Sequence, residues 1–403
     1  MIPETKIRPM KVLLITPWYP TRERPGYGAY VRELARTVER FAEVTVLHLD
    51  GHRRPRPPKL ISVEQDHGPE SAQGITVFRA RWSLTPRFLP NLPMRLSAAL
   101  LAYRHIAAVF PPDLLHANVF TAGLVAGIIG RFARIPVVIT EHSTKLVDPA
   151  ISNRALLEAR LAYLLADAVL PVSNYLNEEI RTRGLRGSFT VIPNSVDTGL
   201  FRPESGPRRD SRSLLFVGAL RGAHGKGLPH LLRACRLLHD RGQAVELEIL
   251  GDGPTRATNE QLASDLGLSA WVTFRGAVSS EEVAGAMQRS RLLVMPSTMY
   301  ETFCVPLAEA QACGLPSVAS RNGAIPETLG HHAGVLVKPG EPAALAAGID
   351  EALERHWDHD LIVRGAQRYS QEAVALRLRE AYQRATMASG HSVRANSSST
   401  PTD

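Results

Sequence analysis

Residues 296–327, PSTMYETFCVPLAEAQACGLPSVASRNGAIPE, carry the clearest structural signal in the chain. They follow the apolar run 292–295, which is short and bounded enough to be a buried strand. Residues 305–313 are predicted to be helical, because Pro306 suits a first helical turn and Gly314 with Pro316 ends the helix. Residues 317–320 form a second short strand. This order indicates an α/β unit.

The same segment predicts a ligand. A helix start near Phe303 and Cys304 offers unpaired backbone N–H groups and the positive end of a helix dipole, which suit a phosphate. Glu301 precedes this point, and Glu309 lies about two turns into the helix, roughly 9–12 Å further along. Carboxylates accept hydrogen bonds from paired hydroxyls of a sugar or ribose. The predicted ligand is a sugar joined through a diphosphate to a nucleoside; the plainer interpretation is two surface glutamates.

The chain contains the same plan twice. Residues 11–16 and 213–217 are apolar strands, and each is followed by a glycine-bearing loop and a helix. This repeat predicts two Rossmann-like domains facing one cleft. Residues 202–212 have the composition of a linker. We therefore expect a first domain over 1–205, a second over 206–365, a final helix over 366–388 and a disordered Ser-rich tail over 389–403.

Further candidate residues stand at loop positions. Strand 136–140 leads into Glu141 and His142, at the carboxyl end of the sheet, where ligands of open α/β sheets bind. Arg221 and Lys226 lie in the loop 218–227, whose glycine spacing is not that of a Walker A loop. Residues 81–95, with Trp82, are expected to form a loop lining an acceptor groove. A structural role is the alternative for a lone histidine such as His142.

Residues 297–327 resemble the E-x7-E region of retaining glycosyltransferases of family 4, in Phe303, the Glu-Ala pair, Gly-x-Pro and the closing Pro-Glu. The resemblance extends from residue 11 to about residue 385. It implies a GT-B fold, in which two Rossmann-like domains hold the donor in a central cleft and the final helix crosses back onto the first domain. It also implies sugar transfer with retention and without a metal.

The resemblance assigns roles to single residues. It implies that Glu309 binds the ribose and that Glu301 and His142 hold the donor sugar. It implies that Lys226 and Arg221 hold the diphosphate, although the family's arginine usually stands where Ala219 does. Backbone N–H groups of Phe303 and Cys304 would share this task.

Three further donor contacts follow from the resemblance. Gly28 matches a loop glycine near the donor phosphate, Gly251 belongs to a Gly-Asp-Gly turn near the nucleoside, and the backbone at Val278 faces the base. The catalytic set is thus Glu301, His142 and Lys226.

Composition bears on partners and location. Residues 1–205 carry 26 Lys and Arg against 18 Asp and Glu, so the whole net charge of +8 lies in the first half. This suits an anionic membrane surface or a phosphate-bearing acceptor, with the basic segment 53–59 as one contact. No apolar run is long enough to cross a bilayer, the N-terminus lacks a signal-peptide layout, and three cysteines suggest reduced thiols. We expect a cytoplasmic protein, in peripheral contact with the inner face of the plasma membrane.

The sequence predicts no cofactor, since the nucleotide-sugar is a substrate, and no metal site. Asp358 and Asp360 have an Asp-x-Asp pattern, but they lie between predicted helices. The nucleotide (UDP or GDP), the sugar and the acceptor (glycan, lipid-linked or small molecule) stay open. Alternatives are a glycoside hydrolase, a nucleotide-sugar epimerase of the same fold, and a non-enzymatic protein that binds anionic ligands. A nucleic-acid-binding protein is disfavoured, because neither a basic helix nor interleaved aromatics are present.

Overall fold

The computed structural model describes residues 8–21, 26–52, 61–66, 74–83, 91–204, 212–222 and 225–388. They form two α/β domains, each built on one sheet. The basic segment 53–59, the central part of the linker (205–211) and the tail 389–403 lie outside the described residues.

The first domain contains a seven-stranded sheet in the order β3-β4-β2-β1-β5-β6-β7. Its strands are β1 (Met10–Thr16), β2 (Ala42–His52), β3 (Ile61–Asp66), β4 (Thr76–Ser83), β5 (Leu114–Asn118), β6 (Val137–Glu141) and β7 (Ala168–Pro171). Its helices are α1 (Ala29–Glu39), α2 (Leu92–Val109), α3 (Val119–Ala133), α4 (Asn153–Leu164) and α5 (Asn174–Thr182). All neighbouring strands are parallel except β3, which pairs antiparallel with β4.

The alternating side chains of β1 show which helices cover each face of the first sheet. Leu13 and Ile15 belong to the buried cluster that contains α2, α3 and α4, whereas Val12 and Leu14 belong to the cluster that contains α1. Because successive side chains of a strand point to opposite faces, these helices cover the two faces of the sheet. Both faces of β1 are buried, which explains its continuous apolar sequence.

The second domain contains a six-stranded parallel sheet in the order β10-β9-β8-β11-β12-β13. Its strands are β8 (Ser213–Val217), β9 (Glu246–Leu250), β10 (Val272–Gly276), β11 (Leu292–Met295), β12 (Ser317–Ser320) and β13 (Gly334–Val337). Its helices are α6 (Leu228–Asp240), α7 (Arg256–Asp265), α8 (Ser280–Arg289), α9 (Val305–Ala312), α10 (Ile325–Leu329), α11 (Pro342–Glu354) and α12 (His359–Ala366).

The last described helix, α13 (Gln371–Ala388), packs against the first domain. Its residues Val374 and Leu378 share the buried cluster with α1. Inside this contact the hydroxyl of Tyr382 lies 2.6 Å from Nδ1 of His116, whose Nε2 lies 2.7 Å from Oγ1 of Thr140. His116 is thus part of a buried structural network.

The expectation of a loop over residues 81–95 is wrong. Residues 81–95 are not simply a loop, since Arg81 to Ser83 end β4 and Leu92 begins α2. Trp82 is buried in the core beside α2 and does not line a groove. The prediction treated Pro93 as a loop residue, but proline is tolerated in the first turn of a helix, where this residue lies. Residues 84–90 are not described.

Candidate active site

Helix α9 begins directly after the loop that carries Glu301. Cys304 caps it in a left-handed backbone conformation (φ 65°), and Pro306 stands in its first turn. The first N–H groups of a helix lack partners within it and lie at the positive end of its dipole. The predicted helix is confirmed, and its N-terminus is a candidate anion site.

Phe303 and Cys304 can meet a ligand only through their backbone. The Phe303 ring is buried against Tyr369, with ring centroids 5.4 Å apart. The Cys304 side chain is also buried, and burial raises the pKa of its thiol. The thiol therefore stays protonated and is a poor nucleophile.

Lys226 and Glu301 form a largely buried ion pair. Nζ of Lys226 lies 2.6 Å from Oε1 of Glu301, and the Ser297 hydroxyl donates to the same oxygen at 2.8 Å. Burial acts to lower the pKa of Lys226, but Glu301 and Cys304 outweigh it, and the pKa lies above its usual value. Lys226 is therefore a fixed cation, and it orients the carboxylate of Glu301.

The loop carrying Lys226 is attached to the loop carrying Glu301. The carbonyl oxygen of Gly225 accepts hydrogen bonds from the N–H groups of Thr298 and Met299 at 3.3 Å and lies 3.2 Å from the Ser297 hydroxyl oxygen. These bonds hold the ion pair in one position.

Arg221 lies in the same loop as Lys226 but has a different contact. Its side chain is exposed, and its guanidinium carbon lies 6.0 Å from the ring centroid of Tyr27 in the first domain. The arginine therefore faces across the cleft. Its proposed role at a diphosphate stays a prediction.

A cavity of about 430 Å³ lies between the two domains, within the size range of small-molecule sites. Val278 and Glu309 line it from the second domain, and Tyr30, Glu33 and Ser195 line it from the first. The structure thus brings Val278 and Glu309 together, as the resemblance implies.

Glu309 is the fifth residue of α9, so it lies about one turn from the helix start. The expected two turns were wrong, because residues 302–304 are not helical. Its carboxyl makes no hydrogen bond to a described residue. Burial, with a smaller contribution from Glu33 across the cavity, raises its pKa to about 8.

The raised pKa of Glu309 predicts that its ionisation lowers the free energy of unfolding at high pH. Ionisation of Glu309 is opposed in the folded protein, so its contribution to stability is present below pH 4.5 and is lost as the pH rises through about 8. We expect ligand-free Glu309→Gln to be more stable than the wild type by up to about 5 kcal/mol at pH 9, which corresponds to the rise in pKa from 4.5 to about 8, and to lie within about 1 kcal/mol of it at pH 5. Urea unfolding at both pH values measures this difference.

The exposed Glu354 at the end of α11 provides the matched control, because Glu354→Gln removes the same charge outside the cavity. An equal gain for Glu309→Gln at pH 5 and pH 9 would contradict an ionisation cost at Glu309.

His142 is enclosed by aromatic side chains. Its ring centroid lies 4.5 Å from that of Tyr30 and 6.0 Å from that of Trp18. Burial lowers its pKa to about 3, so the imidazole is neutral at ordinary pH. Its Nε2 is buried without a hydrogen-bond partner among the described residues, and such unsatisfied polar atoms concentrate at functional sites.

Glu141 is a positioning residue. Its carboxylate accepts hydrogen bonds from the N–H groups of Phe120 and Ser143 and from the hydroxyl of Tyr163, at 2.8–2.9 Å. Burial raises its pKa to about 7 even so. Glu141 ties the segment around His142 to α3 and α4 and has no oxygen directed to a ligand in this arrangement.

Gly28 and Gly251 allow close contacts between loops. Gly28 has φ 77° before α1, and a Cβ there would lie 2.7 Å from the Trp18 backbone. Gly251 has φ 147°, and a Cβ there would lie 1.9 Å from the carbonyl oxygen of Gly218. Both shape the cleft edge, and their donor contacts stay predictions.

Sequence reasoning missed Asn118, at the carboxyl end of β5. Both polar atoms of its buried amide lack a hydrogen-bond partner among the described residues. The next residue, Val119, has φ 61°, which is strained for a β-branched side chain. Strain and unpaired polar groups concentrate at functional sites. Only the position at a strand end could have suggested this residue.

Two contacts across the cleft were also missed. The carboxylate of Glu327 accepts hydrogen bonds from the backbone N–H and side-chain amide of Asn174, at 2.8–3.0 Å, and so caps α5 of the other domain. The Thr302 hydroxyl donates to the carbonyl oxygen of His142 at 3.1 Å. They hold the two domains together beside His142.

The Asp-x-Asp pattern has a structural explanation. Asp358 accepts a hydrogen bond from the N–H of Leu361 and so caps α12. Within the described ranges, no group of three or more His, Cys, Asp or Glu side chains is arranged to hold a metal. No helix in the same ranges has the length and apolar character needed to span a bilayer.

Two α/β domains that face one cleft have the architecture of GT-B glycosyltransferases, and the sequence comparisons show the family. The family model described as Glycosyltransferase Family 4 matches residues 26–200, and the one described as Glycosyl transferases group 1 matches residues 197–368. The chain belongs to glycosyltransferase family 4.

Individual relatives cover most of the chain. D-inositol 3-phosphate glycosyltransferase 1 of Catenulispora acidiphila is 30% identical over 80% of both chains. The putative teichuronic acid biosynthesis glycosyltransferase TuaC of Bacillus subtilis is 28% identical over 88% of this chain and 90% of its own. Among solved structures, Anabaena HepE in complex with UDP and glucose has a TM-score of 0.70 at 21% identity and covers 93% of this chain and 99% of its own.

Proposed function

We propose that this glycosyltransferase is a retaining hexosyltransferase, which moves a sugar from a UDP- or GDP-sugar to a glycan, lipid-linked or small-molecule acceptor. The pathway would be cell-surface polysaccharide or glycolipid synthesis in the cytoplasm. A relative named for teichuronic acid synthesis and a structural neighbour solved with UDP and glucose support this assignment. The observation that carries it is the cleft cavity lined by Val278 and Glu309.

The residues can divide the work of binding the donor. Glu309, ionised on binding, would accept hydrogen bonds from the ribose hydroxyls, and the backbone at Val278 would contact the base. Lys226 and the N-terminus of α9 would stabilise the charge that develops on the diphosphate as its bond to the sugar breaks. Glu301, oriented by Lys226 and Ser297, and the neutral His142 would hold the sugar. Metal is not part of this proposal.

The test is thermal unfolding and donor hydrolysis with UDP-, GDP- and ADP-sugars, on the wild type and on Glu309→Ala. A ligand that binds only the folded state raises stability by RT ln(1 + [L]/Kd). We expect one nucleotide class to raise the unfolding temperature. Glu309→Ala should lose at least about tenfold in affinity, since hydrogen bonds to a charged group contribute about 1.5–3 kcal/mol each.

Glu354→Ala, at the exposed end of α11, serves as the control and should keep the full shift. A folded wild type that shows neither a shift nor hydrolysis with any of these donors would refute the proposed function.

A further inference from the structure

A second surface of the first domain combines exposed apolar side chains with arginines. Helix α4 exposes Leu157, Leu161 and Leu164 at spacings of four and three residues, which place them on one helical face. Phe132, at the end of α3, is 83% exposed. The α3–α4 face is defined by Phe132, Arg154, Leu157, Arg160, Leu161 and Leu164.

The two helices of the α3–α4 face pack against each other. Both helices belong to the same buried cluster on one side of the sheet, and each leads into a parallel strand, so both end at the same sheet edge. A Cβ on Gly127 of α3 would lie 2.6 Å from the Cβ of Leu165, one residue after α4. The middle of α3 therefore packs against the end of α4, and Phe132 lies five residues further along α3, a little more than one turn beyond this contact.

The charge on this face has one sign. Arg154 and Arg160 are exposed on α4, and neither pairs with another described residue. The single acidic residue of α3 and α4 is Glu158, which is mostly buried in an ion pair with Arg95 of α2. The face thus offers apolar and positive groups with no exposed carboxylate.

We propose that the α3–α4 face docks on an anionic lipid bilayer. Leucine and phenylalanine side chains enter the boundary between headgroups and acyl chains, and neighbouring arginines meet anionic headgroups. A second copy of the chain fits less well, because a two-fold interface would bring four arginines into one patch, and this face offers no exposed carboxylate to pair with them.

Docking would bring the active site to the membrane. Residues 143–152 lead directly from His142 to the start of α4. The face therefore runs along α4, about 18 Å in length, from Arg154 at the cleft edge of the sheet to Leu164 at the opposite edge. Docking would lay this side of the first domain on the bilayer, with the cleft opening at its margin. This inference rests on the proposed function only where it assumes an acceptor anchored in the bilayer. Docking itself requires neither a bound donor nor sugar transfer.

Vesicle co-sedimentation of the full chain, without donor, tests the proposal. We expect binding to vesicles of 30% phosphatidylglycerol in phosphatidylcholine and little to pure phosphatidylcholine. Arg154→Glu combined with Arg160→Glu should lower the partition coefficient at least about tenfold, because each arginine near an anionic surface contributes substantially to binding. Leu157→Ser with Leu161→Ser should also weaken binding.

The matched control is Arg379→Glu with Arg384→Glu, which makes the same charge change on α13, the helix covering the opposite face of the sheet. It should bind within about twofold of the wild type. Equal loss in the control, or no binding by a folded wild type, would overturn the proposal, as would a wild-type dimer in sedimentation velocity that the α3–α4 variants dissociate. Unchanged donor hydrolysis in the face variants would show that the active site is intact.

Discussion

Replacing Lys226 with methionine is expected to lower kcat for sugar transfer by about 10²–10³-fold, the usual loss when one preorganised group opposite developing charge is removed. Its ammonium is fixed 2.6 Å from Glu301 in a loop bound to the segment after β11. A cation held in this way needs no reorganisation as the diphosphate leaves. Steady-state kinetics with the donor identified by thermal shift measure kcat and KM separately, and kcat should change more than KM.

A loss of activity in Lys226→Met could also come from the carboxylate left behind. Glu301 is only 8% exposed, and removing one partner of a buried pair is strongly destabilising. Lys226→Met combined with Glu301→Gln removes that buried charge, so it should regain stability without regaining activity. Lys338→Met removes an exposed ion pair with Glu341 and should leave kcat unchanged. Wild-type kcat in Lys226→Met would refute a role for this cation.

The central helix and strands of the second domain could be predicted from the sequence because their signals are local. The start and end of α9 are marked by residues close to it in the chain, Pro306, Gly314 and Pro316. The observed helix matches the one predicted from them, except that it ends one residue earlier. The apolar runs of β1 and β11 also predict buried strands, because the signal lies within each run. The presence of Glu301 and Lys226 in one site was available only through the family resemblance, because 75 residues separate them.

Contacts between segments that are far apart in the chain could not be predicted from the sequence. Strand β3 is polar on part of its length and owes its place to antiparallel pairing with β4. The cap that Glu327 provides to α5 joins residues of different domains, and no local pattern marks it. The unpaired amide of Asn118 likewise depends on burial by neighbouring strands. Such features follow from tertiary packing, which a single sequence does not specify.

His142 shows how this limit affects chemistry, since its position was predictable but its protonation state was not. Trp18 and Tyr30, more than 100 residues earlier, enclose the imidazole and keep it neutral. We therefore expect His142 to act on the donor sugar as a neutral hydrogen-bonding group. His142→Ala should lower kcat/KM by about 10–10²-fold, because leaving a buried polar group without its hydrogen-bond partner costs about 1–3 kcal/mol.

The pH dependence separates this role from acid–base catalysis. Because the pKa of His142 is lowered to about 3, its charge does not change between pH 5 and 9, and the ratio of wild-type to His142→Ala rates should be constant over that range. His239, whose ring also makes an edge contact with a tryptophan, Trp271, lies in the second domain, and His239→Ala should keep full activity. A rate limb near pH 6.5 that disappears in His142→Ala would show instead that His142 exchanges a proton during transfer.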